Sequence, residues 1–222
     1  VDKLLLEWNK SGSPGGSFAV IKDGTVLYKG GFGYGNLDYD YPNAPNTVFY
    51  LASVSKQFTA MSMALLEEQG RISLDDDIRK YFPEIPDYGY RVTIRNLIHH
   101  TSGLRDYLNL WVLKGRSYAD VFDEQEIINL IARQKALNFK PGDQYMYSNS
   151  GYFLMAVLVK RVTGMSLRDY TNQYFFQPLE MNNTHFHDNR NMIVKNRAES
   201  YVKNDSVLER VHSSFDLVGS GG

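Results

Sequence analysis

A serine and a lysine lie three residues apart in the segment Ser53-Val54-Ser55-Lys56, at the start of an apolar-striped stretch of the chain. Residues three apart share one face of a helix, so a helix that begins here brings the Ser53 hydroxyl and the Lys56 amine within reach of each other. A serine paired with an amine in this spacing is typical of serine acyl transfer. The segment therefore predicts a nucleophile and a proton-handling partner held by one rigid element.

The surrounding residues predict the helix itself. A β-branched and aromatic run precedes it, and Gly70 follows where a helix over about residues 54–69 needs its C-terminal cap. In such a helix Phe58, Met61 and Leu65 point into a core. The same pattern also fits an amphipathic core helix with a serine cap and a solvated lysine, so the segment alone leaves both interpretations open.

An acyl-transfer serine needs a second proton-handling group, and a tyrosine two residues before an asparagine is a candidate. The tyrosines with this spacing are Tyr34, Tyr41, Tyr107, Tyr147 and Tyr170. Two of them fall inside a predicted strand and a predicted helix, which leaves Tyr41, Tyr107 and Tyr147 in loops. Only Tyr147 lies between a Pro-Gly turn at 141–142 and a helix start at Ser150, where loop side chains face a cleft. We therefore expect Tyr147 to be the second group.

Three segments carry a resemblance to a known family: residues 53–56 (SVSK), 100–104 (HTSGL) and 140–152 (KPGDQYMYSNSGY). In order, spacing and flanking residues they resemble the serine β-lactamase-like superfamily, and within it the branch of class C β-lactamases, penicillin-binding proteins, D,D-carboxypeptidases and esterases. The resemblance runs from about Ser17 to Gly222. It implies a serine hydrolase that forms an acyl-enzyme on an amide or ester bond, with a β-lactam, a D-Ala-D-Ala peptide or an ester as substrate.

The resemblance also implies a role for each site residue. Ser53 is the acylated nucleophile, Lys56 its proton partner, Tyr147 the second acid or base, and Asn149 a hydrogen-bonding partner of the substrate amide. Either a neutral Lys56 takes the serine proton, or Lys56 stays charged and a Tyr147 phenolate takes it; the residues leave both open. No cofactor and no metal ion is implied. The alternative function is a penicillin- or peptidoglycan-recognising binding module without turnover. Slow or absent deacylation would distinguish this module from a hydrolase.

One motif of the family is not evident on a late strand of the sequence, where the family carries it. Family members carry Lys or His, any residue and then Gly on a late strand, and Lys29-Gly30-Gly31 has these letters but precedes Ser53. We therefore expect the motif and the strands around it beyond Gly222. The chain would then lack the family's C-terminal part and be a weak catalyst by itself.

The expected fold is α/β (α+β), of the β-lactamase/transpeptidase type, with an antiparallel sheet flanked by helices beside a mostly helical domain. An N-terminal helix is predicted by the spacing of Val1, Leu4, Leu5 and Trp8. Asp23-Gly24 predicts a hairpin between the β-rich runs 17–22 and 25–34. The predicted domains are residues 1–52, a mainly helical region over 53–190, and a truncated return toward the first domain over 191–222.

Capping patterns predict where helices begin in the region 53–190. The expected caps are Thr93 for a short helix to His100, Asp123 with Glu126 for the next helix, and Ser166 for a helix that stops near Pro178. Asn149 or Ser150 is expected to start a helix ended by Gly164. Strand-like runs then return at 184–187 and 200–203.

Composition restricts the possible partners. The 222 residues include 24 basic and 25 acidic side chains with no block of one sign, so we expect neither nucleic acid nor a membrane surface as a partner. No apolar stretch approaches 18 residues, which predicts no membrane span. The lack of cysteine excludes disulfides and thiolate metal sites. The expected partner is a small-molecule or peptidoglycan-peptide substrate, and the resemblance implies a periplasmic or secreted location.

Two other patterns have weaker chemical interpretations. His185 and His187 would share one strand face, as a zinc site requires, but the sequence offers no evident third ligand. The glycines at 30, 31, 33 and 35 do not form a dinucleotide-binding loop, because no helix opens behind them. We interpret these glycines as close packing of a helix on the sheet.

Overall fold

The computed structural model describes residues 2–6, 8–211 and 216–222. Val1 of the predicted N-terminal pattern lies outside these residues, as do residues 212–215 of the predicted third domain. Within the described ranges, no helix is long and apolar enough to cross a membrane.

The described residues form two compact units. Unit 1 contains residues 2–50 and 191–211, and unit 2 contains residues 51–190 and 216–222. The domain boundaries expected near residues 52 and 190 stay a prediction.

The helices are α1 (Asp2–Leu5), α2 (Lys56–Glu68), α3 (Ile94–Ile98), α4 (Tyr107–Leu113), α5 (Glu124–Ala132), α6 (Asn149–Thr163) and α7 (Leu167–Thr171). The strands are β1 (Gly16–Lys22), β2 (Thr25–Phe32), β3 (Tyr34–Asn36), β4 (Tyr41–Pro42), β5 (Tyr201–Asn204) and β6 (Val207–Arg210). These strands pair antiparallel, β1 with β2, β3 with β4 and β5 with β6. The mixture of helices and antiparallel strands confirms the expected α/β (α+β) class.

The hairpin expected at Asp23-Gly24 is present in unit 1. Strand β1 pairs with β2 along its whole length. Asp23 and Gly24 both have positive φ, 49° and 74°, as the two-residue turns that match strand twist require. The second predicted run is shorter than expected, because Gly33 ends it with a φ of 59° and Tyr34 opens β3.

The glycines that follow the hairpin allow backbone segments to approach each other. A Cβ on Gly31 would lie 2.1 Å from the carbonyl oxygen of Asn43, and a Cβ on Gly33 would lie 2.8 Å from the Cα of Gly15. Both neighbours are loop backbone. The expected packing of a helix on these glycines is therefore wrong.

The later strand predictions have different outcomes. The run at 200–203 is confirmed as β5. The segment before β5 is bonded to the rest of unit 1, because the Glu199 N–H donates a 2.7 Å hydrogen bond to the Gly35 carbonyl. The strand expected at 184–187 is wrong, because this segment is irregular. Its Phe186 side chain is buried in the core of unit 2, so hydrophobic anchoring rather than strand pairing holds the segment.

Unit 2 is organised around α6, whose residues 150–159 are all buried. A helix that is apolar on every side belongs inside a protein. The helices α2, α3, α4 and α7 all contact α6. This packing brings the beginning of α2 and the beginning of α6 together.

The expected capping residues begin these helices. Thr93 accepts a hydrogen bond from the Asn96 N–H at α3, Asp123 from the Glu126 N–H at α5, and Ser166 from the Asp169 N–H at α7. Gly164 ends α6 with a φ of 78°. Helix α4 lies outside the sequence predictions, and Asp106 caps it by accepting from the backbone N–H groups of Leu108 and Asn109.

Helix α2 has nearly the expected bounds, but one residue of its expected core face is wrong. Phe58 and Leu65 pack partly buried against the core, whereas Met61 is 55% exposed. The buried face is formed by Lys56, Thr59, Met63 and Leu66. Because Lys56 itself faces inward, the positions three, seven and ten residues after it face inward too, and Met61 lies on the opposite side.

Candidate active site

Ser53 and Lys56 lie at the beginning of α2, in unit 2. Ser53 belongs to a 3₁₀ turn over Ala52–Ser55, and Lys56 is the first residue of the α-helix that continues it. The Lys56 Nζ atom lies 3.0 Å from Ser53 Oγ. The expected proximity is confirmed, and the solvated lysine of the alternative interpretation is wrong, because Lys56 is only 7% exposed.

Lys56 Nζ has two further oxygen partners besides Ser53. It donates to Asn149 Oδ1 at 3.0 Å and to the backbone carbonyl oxygen of Ser220. Both of these oxygens can only accept, so each holds one N–H of the amine. The third position of the nitrogen therefore faces Ser53, as an N–H in the ammonium form or as a lone pair in the neutral form.

Tyr147 reaches Ser53 from a different part of the chain. The Tyr147 hydroxyl oxygen lies 2.7 Å from Ser53 Oγ, although 94 residues separate the two. The alternative Tyr107 is buried at the beginning of α4, where its hydroxyl lies 3.0 Å from Ser220 Oγ. The alternative Tyr41 lies in β4 of unit 1. Unit 2 thus brings Ser53, Lys56 and Tyr147 together, and their catalytic roles stay a prediction.

Backbone hydrogen bonds hold the loop that carries Tyr147. The Met146 N–H donates to the His100 carbonyl at 2.9 Å, and the Gly142 N–H donates to the Thr101 carbonyl at the same distance. The Asn138 N–H donates to the carbonyl of Gly103 at 2.8 Å. The backbone of residues 100–103 therefore holds the loop that carries Tyr147 in place.

Asn149 is the first residue of α6, and its carboxamide joins Lys56 to a carboxylate that the sequence patterns did not indicate. Its Oδ1 accepts from Lys56 Nζ, and its Nδ2 donates to Asp106 Oδ2 at 2.8 Å. The Asn149 backbone N–H donates to the same Asp106 oxygen at 2.6 Å. An aspartate ahead of the apolar run at 107–113 is a helix-start signal, and this signal was available in the sequence. The predicted contact of Asn149 with substrate stays a prediction.

His100 lies against Tyr147 with the two ring centroids 4.4 Å apart. Its Nδ1 accepts a hydrogen bond from the Ser148 N–H at 3.1 Å, which requires an unprotonated Nδ1. Burial, together with the positive charge of Lys56, holds the pKa of His100 below its usual value. The imidazole is therefore a neutral support for the tyrosine ring.

Gly219 and Ser220 form part of the same site. The Thr59 Oγ1 donates to the Gly219 carbonyl at 3.0 Å, and the next carbonyl, that of Ser220, accepts from Lys56. Nothing in the local sequence pattern indicates this contact, because it joins positions 160 or more residues apart.

In the described ranges, no group of three or more His, Cys, Asp or Glu side chains is arranged to hold a metal ion. The ring centroids of His185 and His187 lie 5.7 Å apart.

Comparison with known proteins identifies a family that this chain matches. A family model described as Beta-lactamase matches residues 2–215. Penicillin-binding protein 4* of Bacillus subtilis (strain 168) is 36% identical over 176 residues, which are 79% of this chain and 38% of that protein. A D-aminopeptidase of Brucella anthropi is 36% identical over 169 residues, which are 76% of this chain and 32% of that protein.

A solved structure has the same fold. The structure of the octameric penicillin-binding protein homologue from Pyrococcus abyssi matches with a TM-score of 0.86 at 29% identity, covering 100% of this chain and 52% of that one. The chain spans about a third of the length of the curated relatives it matches.

Proposed function

Because the chain belongs to the Beta-lactamase family, we propose that the protein containing it is a serine hydrolase that forms an acyl-enzyme at Ser53. The single observation that carries the proposal is the convergence on Ser53 Oγ of Lys56 Nζ at 3.0 Å and the Tyr147 hydroxyl at 2.7 Å. A serine hydroxyl needs an adjacent proton acceptor to become a nucleophile. These two groups supply one.

The proposed substrates are small molecules or peptides with an amide or ester bond, namely β-lactams, D-Ala-D-Ala peptides and esters. Relatives named as a penicillin-binding protein and a D-aminopeptidase support this range. A periplasmic or secreted location is part of the same proposal, since peptidoglycan peptides lie outside the cytoplasmic membrane.

The proposed reaction begins with attack of Ser53 Oγ on the substrate carbonyl carbon, while the serine proton passes to the pair formed by Lys56 and Tyr147. The C–N or C–O bond of the substrate then breaks, and the pair returns the proton to the leaving nitrogen or oxygen. The acyl group remains on Ser53. Water next bonds to the acyl carbon and gives one proton to the pair, which returns it to Ser53 Oγ as the acid leaves.

Asn149 and Ser220 support this proton transfer by orienting the amine. Their carbonyl oxygens hold two positions of Lys56 Nζ, so the third is directed at Ser53 in both protonation states. One N–H of Asn149 Nδ2 is bonded to Asp106. The other N–H of this NH₂ group is the proposed donor to the substrate.

The experiment is mass spectrometry of the full-length protein after incubation with penicillin, with a nitrophenyl ester and with a D-amino-acid nitroanilide. We expect a covalent adduct on the peptide that contains Ser53 and none in Ser53→Ala. Ser55→Ala is the matched control, because Ser55 lies two residues away and its hydroxyl bonds to the Ala52 carbonyl. We expect Ser55→Ala to keep the adduct.

Two outcomes would change the conclusion. An adduct in Ser53→Ala, or a wild-type protein that gives neither an adduct nor released product with any of the three reagents, would overturn the acyl-enzyme. A persistent adduct without released product would instead identify the binding module without turnover.

A further inference from the structure

We infer that Asp106 is a positioning residue that fixes the orientation of the Asn149 carboxamide and, through it, the place of the Lys56 amine beside Ser53. The inference rests on the proposed acyl-enzyme function. In this inference Asp106 does not act on Lys56 or Ser53 by direct contact. It acts through Asn149, which contacts Lys56.

The hydrogen bonds of the Asp106 carboxylate carry the inference. Its Oδ2 accepts from the Asn149 backbone N–H at 2.6 Å and from Asn149 Nδ2 at 2.8 Å. Its Oδ1 accepts from the backbone N–H groups of Leu108 and Asn109, at 2.9 and 3.3 Å, at the start of α4. The two oxygens thus tie the start of α4 to the start of α6.

An ionised carboxylate can only accept, so only the NH₂ end of the Asn149 carboxamide can face it. The oxygen end is then directed away from Asp106 and lies 3.0 Å from Lys56 Nζ. Without the carboxylate, the carboxamide can turn over and place its NH₂ group against the amine. Lys56 would then face a donor in place of an acceptor, and its nitrogen would move from its position beside Ser53.

A purely structural role is the competing explanation, since Asp106 caps α4. Asparagine caps helices about as well as aspartate, so Asp106→Asn keeps the cap through its Oδ1 and changes the group that faces Asn149. Asp123→Asn is the matched control, because Asp123 caps α5 by accepting from the Glu126 N–H at 2.8 Å. Both variants replace the carboxylate of a helix cap, and only one of these carboxylates contacts Asn149.

The experiment measures the rate constant of Ser53 acylation by a nitrophenyl ester, across a range of ester concentrations, in the full-length protein and four variants: Asp106→Asn, Asp123→Asn, Asn149→Ala and the double variant Asp106→Asn/Asn149→Ala. We expect Asp106→Asn to lower the rate constant by about 10- to 100-fold, since misplacing a reacting group by about 1 Å costs up to about 100-fold. The ester concentration for half-maximal rate should change by less than about threefold, because Asp106 acts on the reacting groups and not on ester binding. Asp123→Asn should match the wild-type protein.

The double variant separates positioning from other roles. If Asp106 acts through the Asn149 carboxamide, the double variant is no slower than Asn149→Ala alone, because no carboxamide is left for Asp106 to orient. Multiplied effects in the double variant, or an Asp106→Asn protein that matches Asp123→Asn in acylation rate, would overturn the inference and leave the acyl-enzyme intact. A wild-type protein without an acylated Ser53 would overturn both.

Discussion

The imidazole of His100 is stacked on the phenol ring of Tyr147, with the ring planes inclined by 30°. His100 has a φ of 57°, a left-handed conformation that is unfavourable for a residue other than glycine. The segment that contains it also binds the tyrosine loop through its backbone. The direction of the Tyr147 hydroxyl toward Ser53 therefore depends on a residue that does not contact Ser53.

His100 makes the stability of unit 2 pH-dependent. Burial first, and the charge of Lys56 second, lower the pKa of His100 in the folded protein below the value of about 6.5 in an unfolded chain. As the pH falls through about 6.5, His100 binds its proton more readily in the unfolded chain than in the folded protein, so the free energy of unfolding falls. We expect the His100→Gln protein to lose this part of the pH dependence of its free energy of unfolding. Denaturant unfolding between about pH 5 and pH 8 measures it.

His99→Gln is the control for this prediction, since His99 is the exposed neighbour of His100. It should keep the pH dependence of the wild-type protein. A His100→Gln protein whose unfolding free energy follows the wild-type curve through this pH range would show that His100 does not carry the effect.

Replacing Tyr147 by phenylalanine should remove activity without unfolding the protein. The variant keeps the ring stacked on His100 and loses only the hydroxyl that lies 2.7 Å from Ser53 Oγ. Loss of a general acid or base costs about 100- to 10,000-fold in rate. Because Tyr147 is 42% exposed, the free energy of unfolding should change by less than about 0.5 kcal/mol. Acylation kinetics and denaturant unfolding measure the two effects.

Tyr145→Phe is the matched control for the phenol, because Tyr145 lies on the same loop and is more exposed. Its acylation rate should stay within about twofold of wild type. If Tyr147→Phe were also that fast, the hydroxyl would have no part in proton transfer.

Replacement by alanine should lower the free energy of unfolding by very different amounts at two methionines of α2. Met63 is fully buried, and deletion of a buried methionine side chain costs about 2–5 kcal/mol through lost burial and the cavity left behind. Met61 is exposed on the opposite side, so its replacement should cost less than about 0.5 kcal/mol. Denaturant unfolding of both variants tests the observed orientation of α2. Equal losses would contradict it.

Two glycines with the same backbone conformation give a test of the segment that holds the tyrosine loop. Gly103 and Gly115 have φ values of 73° and 81°. A Cβ on Gly115 meets no atom within 4 Å, whereas a Cβ on Gly103 would lie 2.3 Å from the carbonyl oxygen of Phe139. Gly115→Ala should therefore cost only the conformational penalty of about 1–2 kcal/mol.

Gly103→Ala should cost more than Gly115→Ala and should also slow acylation of Ser53. The added methyl group displaces the backbone near residue 139, and that backbone leads into the loop that carries Tyr147. Thermal unfolding and acylation rates measure the pair. A Gly103→Ala protein as stable and as fast as Gly115→Ala would show that the close approach has no consequence.

The sequence alone was sufficient for features that short-range rules control. The three-residue spacing of Ser53 and Lys56 placed both groups together because one helical turn joins them. The caps Thr93, Asp123 and Ser166 were predictable for the same reason, since each side chain bonds a backbone N–H three residues later. The hairpin at residues 23–24 likewise needs only the backbone freedom of its own two residues.

The tertiary structure decided which distant residues meet. Local pattern left Tyr41, Tyr107 and Tyr147 as candidates, and only the packing of α2 against α6 brings a tyrosine from 94 residues away to Ser53. The same packing leaves Met61 exposed, because Met63 and Leu66 occupy the buried face of α2. The contacts of Asp106 with Asn149, and of the Ser220 carbonyl with Lys56, have no local signature, because the free energy of burying and pairing these polar groups depends on neighbours 43 and 164 residues away.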